Sequence, residues 1–415
     1  MPAAPPDSPD DQFAAFRHSS YARYFTARFL SATAVQILAT AIGWQIYDET
    51  GSAFLLGLIG LVQFLPAIVL VIPAGLASDR IGRRFIMGSA IWLEMLCAIV
   101  ILSLALTRNF DPVLVLSTLT VFGIARAFYT PAASSLAVNL VPREDFPNAV
   151  GWNTASWQLA HIAGPAAGGL IYGISAGTAY GTAVALLLIA GLLIFSIARP
   201  PQRIETEPTS LSVLLGGFSY VWREKVVLGA ISLDLFAVLL GGAVALMPIY
   251  ARDILELGPQ GLGLLRAAPG IGAIVMLLIL TRFPVRNHAG TILIVTVALF
   301  GAATAVFGIS TLPWLSIAAL MAVGAFDMVS VYIREIILQL WTPDEVRGRV
   351  NAVNGIFIGA SNELGEFRAG MMAAVWGAVF TVTAGGIAAV GVAALVRRTF
   401  PRLAAIRRLD EAPDR

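Results

Sequence analysis

Residues 75–84 read Gly75-Leu76-Ala77-Ser78-Asp79-Arg80-Ile81-Gly82-Arg83-Arg84. The stretch separates two long apolar runs, 53–74 and 85–106. Three arginines and an aspartate occupy a connection too short to form a domain. A short basic loop between two membrane-length segments marks a cytoplasmic face. With this loop placed inside, counting crossings assigns every other loop to a side.

Composition points the same way. Of 415 residues, 58% are hydrophobic and 13% charged, and the mean hydropathy is +0.81. A soluble chain of this length has no interior large enough to hide so much apolar surface. The net charge of +2 makes no case for nucleic acid. Cys97 is the single cysteine and lies in an apolar run, so neither an intrachain disulfide nor a zinc cluster is expected. Met1 to Asp11 is rich in Pro and Asp and lacks a basic n-region, and reads as a cytoplasmic tail rather than a cleaved signal.

Runs of 18 or more apolar residues recur, each long enough to cross about 30 Å of hydrocarbon. Twelve spans are expected: 24–47, 53–76, 85–106, 113–139, 149–173, 178–198, 226–250, 260–281, 289–309, 313–340, 350–374 and 377–397. They are too long and too uniformly apolar for barrel strands, so helices are expected throughout. With the N-terminus inside, twenty of the 27 lysines and arginines fall in inner loops and tails. Only Arg108 and Arg252 fall outside, and five lie within spans. That asymmetry places both termini in the cytoplasm.

The longest inner connection, 199–225, opens with Arg-Pro-Pro-Gln-Arg and stays polar to Ser210. Leu211, Leu214, Leu215, Phe218 and Trp222 then recur at helical spacing, which predicts an amphipathic helix on the inner leaflet. The linker divides the spans six and six. The expected organisation is a tail (1–23), a six-helix bundle (24–198), the linker (199–225), a second bundle (226–398) and a basic tail (399–415). A shift of 201 residues pairs Pro142 with Pro343, Glu144 with Glu345, Asn153 with Asn354, Gly164 with Gly365 and Gly169 with Gly370. Two six-helix halves in parallel repeat are a transporter architecture.

These residues support a resemblance. The pattern Gly75, Asp79, Arg80, Gly82, Arg83, Arg84 resembles the loop motif between helices two and three of the major facilitator superfamily. In span five, Gly164-Pro165-Ala166-Ala167-Gly168-Gly169 resembles the core of that family's antiporter motif. The pattern covers about 24–398 and is most similar to the exporter branch of enterobactin, macrolide and lysophospholipid transporters. Two features depart from it. Arg126 in span four lacks the Gln-Gly that follows the family's arginine. The second-half copy of the loop motif is reduced to Thr281-Arg282-Phe283-Pro284-Val285-Arg286. The resemblance implies a loop that latches a gate on the cytoplasmic side, a span-five motif that directs antiport, and spans one, four, seven and ten around a central cavity.

Elementary chemistry assigns roles beside that resemblance. Asp79 can cap the start of span three, where the helix dipole favours an anion. Gly164 and Gly168 share a helix face and permit close backbone contact. Pro165 deprives the His161 carbonyl of its helical partner. Ionisable groups in lipid are costly and need a reason. Arg126 and Asp327 lie 201 apart, at equivalent repeat positions with opposite charge. Asp327 and Arg334 are two turns apart on one face. Glu363 and Glu366 are i, i+3 neighbours, with Asn362 and Arg368 nearby. Two carboxylates that close cannot both ionise cheaply, so the pair is expected to share a proton, with Asp327 and Arg334 as a switchable partner across the cavity. Asp327 and Asp234 are further proton-coupling candidates, Arg126 and Arg334 are cavity charge partners, and Glu94 and His161 are further intramembrane groups. Trp44, Phe64, Phe122, Tyr129, Trp152, Phe236 and Phe357 are candidates for an apolar lining.

The expected function is a secondary transporter, a proton-driven antiporter exporting amphipathic drugs or a siderophore across the inner membrane by alternating access as a monomer. Membrane lipid surrounds it, and no cofactor is expected. The alternative is a lipid or lysophospholipid flippase without proton coupling. No phosphate-binding Gly-x-x-x-x-Gly-Lys-[Ser/Thr] loop occurs, His18, His161 and His288 are too scattered for a metal site, and no extramembrane domain could carry catalysis.

Overall fold

The computed structural model describes residues 12–199 and 211–409. The polar stretch at the start of the linker lies outside the described residues. Six long helices come first: α1 Ser19–Thr50, α2 Ala53–Ile81, α3 Arg83–Thr107, α4 Pro112–Ala137, α5 Phe146–Tyr172 and α6 Ala176–Ser196. Then come α7 Leu211–Arg223 and α8 Lys225–Gly241, which runs on through a 3-10 turn, the short α9 Met247–Ile249 and a π-turn to Ile254. The remainder is α10 Gly258–Arg282, α11 Ala289–Ile309, α12 Pro313–Leu340, α13 Asp344–Trp376, α14 Ala378–Thr399 and the short α15 Pro401–Ala404.

Local chemistry sets the boundaries. Ser52 accepts from the Leu55 amide, Ser175 from Thr178 and Asp111 from Val113, each at the start of a helix. Pro112 follows Asp111 at the first helical position, where a missing N–H costs nothing. Gly82 joins α2 to α3 at φ 121°, a conformation that disfavours any Cβ. Ten segments among the described residues are long and apolar enough to cross a membrane. α5 and α13, with 27 and 33 residues, pack among them and carry more polar groups.

Helix pairing repeats between the two halves. In the first, α1 packs on α5 and α6, α2 on α4, and α3 on α4 and α6. In the second, α8 packs on α13 and α14, α10 on α12, and α11 on α12 and α14. The halves meet along two seams, α5 on α10 and α2 on α13. We call the end that carries Ser19 and Thr399 proximal and the opposite end distal. The distal end is tied by Arg252 Nε to Asp48 at 3.1 Å and by the Tyr47 hydroxyl on the Asp253 carboxylate. Toward the proximal end, Leu65 and Val69 of α2 are 60% and 68% exposed, so the seam does not continue there.

The helix expected in the linker is present as α7 Leu211–Arg223, and the structure adds detail to three expectations. Span seven is broken rather than continuous, because Gly241-Gly242 and Pro248 weaken its helical ladder. The Arg368 guanidinium caps the break, with Nε donating to the Leu239 carbonyl at 2.8 Å and Nη2 to Leu240 at 2.6 Å. α7 packs on α13, with Val221 buried among Val227, Ile231, Leu338, Val350 and Val353, while Trp222 stays 68% exposed. Both flanking segments pack on the bundle where tails were expected. Phe13 stacks on Trp152, Phe16 meets it edge-on, and the Trp341 indole donates to the Leu409 carbonyl.

Candidate functional site

The 75–84 loop acts within the first half. Arg83 Nη1 donates to the Ser135 carbonyl at the end of α4. Arg84 donates to the Ile194 and Phe195 carbonyls at the end of α6. These are carbonyls that a helix leaves unpaired at its last turn. Arg80 is exposed, and a Cβ added at Gly75 would meet nothing within 4 Å. The Asp79 side chain, expected to cap α3, lies outside what is described.

The α5 glycines face two directions. Gly164 and Gly168 lie against α1, where a Cβ on Gly168 would come within 3.0 Å of the Ile37 Cα. Gly169 turns to the other half, where a Cβ would sit 2.8 Å from the Gly263 Cα on α10. Such distances require that one backbone give way. Pro165 also borders this seam, its carbonyl 2.7 Å from a Cβ built at Gly263. On the second seam Gly57 meets Gly370, and a Cβ on Gly57 would lie 2.9 Å from the Gly370 Cα. Small residues thus set both contacts between the halves.

Within the second half, Arg334 on α12 pairs with Asp234 on α8, the two side chains 4% and 11% exposed. Arg334 was expected, with Asp327, to serve as a switchable partner for Glu363 and Glu366, and it is instead paired with Asp234 inside its own half. Sharing a helix face does not make two side chains partners when a closer carboxylate faces from the neighbouring helix. Asp327 lines an apolar recess with Val238, Met247, Phe300, Phe307, Leu320 and Asn362, of about 680 Å³ of free space.

Glu363 and Glu366 converge on Gly60 of α2, at the α2–α13 seam, with a Cβ at Gly60 lying 3.3 Å from Glu366 Oε2. Each faces a different cation. Glu363 interacts electrostatically with Arg126 of the other half, and Glu366 with Arg266 on α10. Arg266 also reaches across the halves, Nη1 donating to Thr40 Oγ1 of α1 at 3.4 Å. Sequence reasoning counted Arg266 and Arg28 among the five cations within spans but gave neither a role. Their signal was the cost of a cation in an apolar run.

Arg126 on α4 lies 3.9 Å from Glu94 on α3, which is fully buried and accepts from Ser31 at 3.5 Å. The Arg126 guanidinium sits over the Tyr129 ring, 5.5 Å from its centroid. Arg28, Gln36, Arg126, Tyr129, Trp157 and His161 line a second recess of about 570 Å³ of free space, open on one side. The candidate aromatics scatter: Phe236 is exposed, Phe357 packs on Phe218 of α7, Trp152 on the N-terminal segment, and Phe64 on Gly359.

A family model described as transmembrane secretion effector matches residues 10–414. The multidrug efflux pump Tap of Mycolicibacterium fortuitum is 27% identical over 356 residues, 81% of this chain and 85% of that one. The enterobactin exporter EntS of Shigella boydii is 25% identical over 356 residues, 83% and 84% of the two chains. In fold, the chain is similar to a bacterial homolog of the human lysosomal transporter Spinster in an inward-facing, unoccupied conformation, with a TM-score of 0.74 at 14% identity over 99% of this chain and 100% of that one.

Proposed function

The chain belongs to the transmembrane secretion effector family of major facilitator transporters, and from that premise we propose that it exports amphipathic small molecules in exchange for protons carried by Glu363 and Glu366. The relatives that match over most of its length are named as drug and siderophore efflux proteins. The proximal end faces the cytoplasm on this reading, because the basic loops gather there and basic loops are retained inside. The membrane is then the inner membrane.

The observation that carries the reading is the convergence of two carboxylates on Gly60, at the α2–α13 seam between the halves. Two anions screened from water repel, and a proton held between them relieves the repulsion. Glu363 has its cation on the opposite half and Glu366 has one that is itself bonded to the opposite half. Parting the distal end would move Arg126 relative to Glu363 and release Arg266 from Thr40. Charge on the pair therefore differs between the two facing states, which is what coupling requires.

The test is Glu363→Gln and Glu366→Gln, singly and together, in proteoliposomes loaded with a fluorescent amphipathic dye. We expect gradient-driven efflux to fall about tenfold or more, the change in occupancy that one unit of proton affinity gives. Dye exchange without a pH gradient should persist. Gradient-driven efflux by the double variant would overturn the assignment and make Asp234 or Asp327 the better carrier, with Asp327 free of the Arg334 pair. Lysolipid movement without a gradient would replace export by lipid flipping.

A further inference from the structure

We propose that the recess between α1, α4 and α5 binds the acidic group of an aromatic amphipathic substrate, so that the preferred cargo is an aromatic carboxylate rather than a cation. The inference rests on the exporter reading for its setting and on the geometry of one recess for its content.

The lining holds Arg28, Arg126 and His161 and no carboxylate. Each cation has an incomplete set of partners. Arg28 donates to the Tyr24 hydroxyl at 3.2 Å, and its electrostatic neighbours are tyrosines. Arg126 has one carboxylate at the long distance of 3.9 Å, and its side chain remains 38% exposed. Glu94, the carboxylate behind it, is buried and cannot follow a ligand into the recess. A guanidinium carries five N–H donors in a planar fork suited to a carboxylate, and both guanidinia line the recess.

The aromatic part of the assignment comes from α5. Trp157 is 48% exposed, and the His161 ring lies on it at 3.9 Å between centroids and 31° between planes. His161 Nδ1 is 2.9 Å from the Trp157 carbonyl, which can only accept, so Nδ1 carries the hydrogen. That leaves Nε2 as the free ring nitrogen. Tyr129 adds a second ring beneath Arg126. Flat rings beside a guanidinium pair form a surface for a planar anion, with apolar faces for its ring and a fork for its charge. The recess that Asp327 lines in the second half lies between α8, α10, α11 and α12 and is otherwise uncharged, and would repel the same anion. An anion seated on Arg126 would also offset the positive field that Arg126 exerts on Glu363 across the halves. Substrate binding and the proton site thereby share one cation.

The test uses the full chain purified in detergent and a matched series of probes: 2-naphthoate, neutral 2-naphthamide and cationic 2-naphthylmethylammonium, with equilibrium dialysis as the readout. We expect naphthoate to bind about tenfold or more tightly than either analogue, as charge-assisted pairing allows. Arg28→Gln and Arg126→Gln should each bring acid and amide to within about threefold, and Trp157→Ala should weaken both by a similar factor. Should Arg126→Gln leave Glu94 unpaired and fail to fold, Arg28→Gln unpairs no carboxylate and decides the question alone. Tighter binding of the cation, or naphthoate binding indifferent to Arg28→Gln, overturns the proposal. So does displacement of naphthoate by lysophosphatidate at lower concentration than by naphthoate itself, which would make a lipid the ligand. Glu363→Gln separates the two readings, since lost proton coupling with intact acid preference leaves the recess standing, and the reverse leaves the carrier standing.

Discussion

The two halves share a backbone plan and divide the chemistry. Each of the five helix pairings in the first half has its equivalent in the second. Yet Arg126 and Asp327 occupy positions 201 residues apart with opposite charge. In the first half the cation is loosely held by Glu94 and looks into an open recess. In the second, Arg334 and Asp234 are closed on each other and buried. The first span also differs: α1 is continuous, whereas its counterpart breaks after Gly241 and is capped by Arg368. The lesson is that packing tolerates duplication because small and apolar residues interchange, while an intramembrane charge needs one specific partner. A loose pair leaves donors for a ligand, and a tight one fixes helices.

The largest expected effect comes from breaking the tight pair. Arg334→Leu leaves Asp234 buried without a counter-ion, which costs about 3–5 kcal/mol. The purified variant should unfold at a markedly lower temperature in a detergent thermal-shift assay, and Asp234→Asn in the same chain should recover much of the loss. Arg126→Gln, by comparison, should shift unfolding far less. Equal shifts for the two arginines would remove the distinction between halves.

A smaller effect is expected at the helix break. Arg368→Leu strips two carbonyls of a charged donor, at about 1.5–3 kcal/mol for charge-assisted bonds. Arg368→Lys should recover only part of that, because one ammonium cannot span both carbonyls in a fork. Because α1 is unbroken, introducing an arginine at the equivalent Ala167 should stabilise nothing. Unfolding midpoints of the three variants check the claim. Stabilisation at 167 would mean that the first half shares the strain of the second.

The smallest effect on stability, and the sharpest on conformation, is expected at the seam. Gly169→Ala places a methyl against α10 of the other half without disturbing the helices beside α5, at roughly 1 kcal/mol. The distal end should open more often, read as faster labelling of a cysteine placed at Thr50 by a membrane-impermeant thiol reagent. Gly168→Ala presses on α1 inside one half and should lower the unfolding midpoint without raising labelling. Identical behaviour of the two variants would erase the difference between a seam and a half.

Much of this protein was legible as a string. The helix α11 was expected at 289–309 and α12 at 313–340, and both occur there. Hydropathy is a local property that lipid enforces residue by residue, so span positions need no knowledge of neighbours. The loop and the α5 glycines were legible for a similar reason, since short motifs keep their residues adjacent. The break in span seven was written in Gly241-Gly242 and Pro248, but in an apolar run those residues also occur in unbroken helices.

The partners of the charges were not legible. Arg334, with Asp327 on the same helix face, is expected from the sequence to answer Glu363 and Glu366, but its carboxylate is Asp234 on another helix. Arg368 was grouped with the glutamates beside it and turned out to face α8. Arg266 gained a role only when Thr40, 226 residues away, came within 3.4 Å. The sequence by itself determined which segments are helical and that charges lie inside apolar runs. Tertiary structure alone decided which charges meet, because an ion pair is set by distances of a few ångströms between helices that the chain order separates by a hundred residues or more.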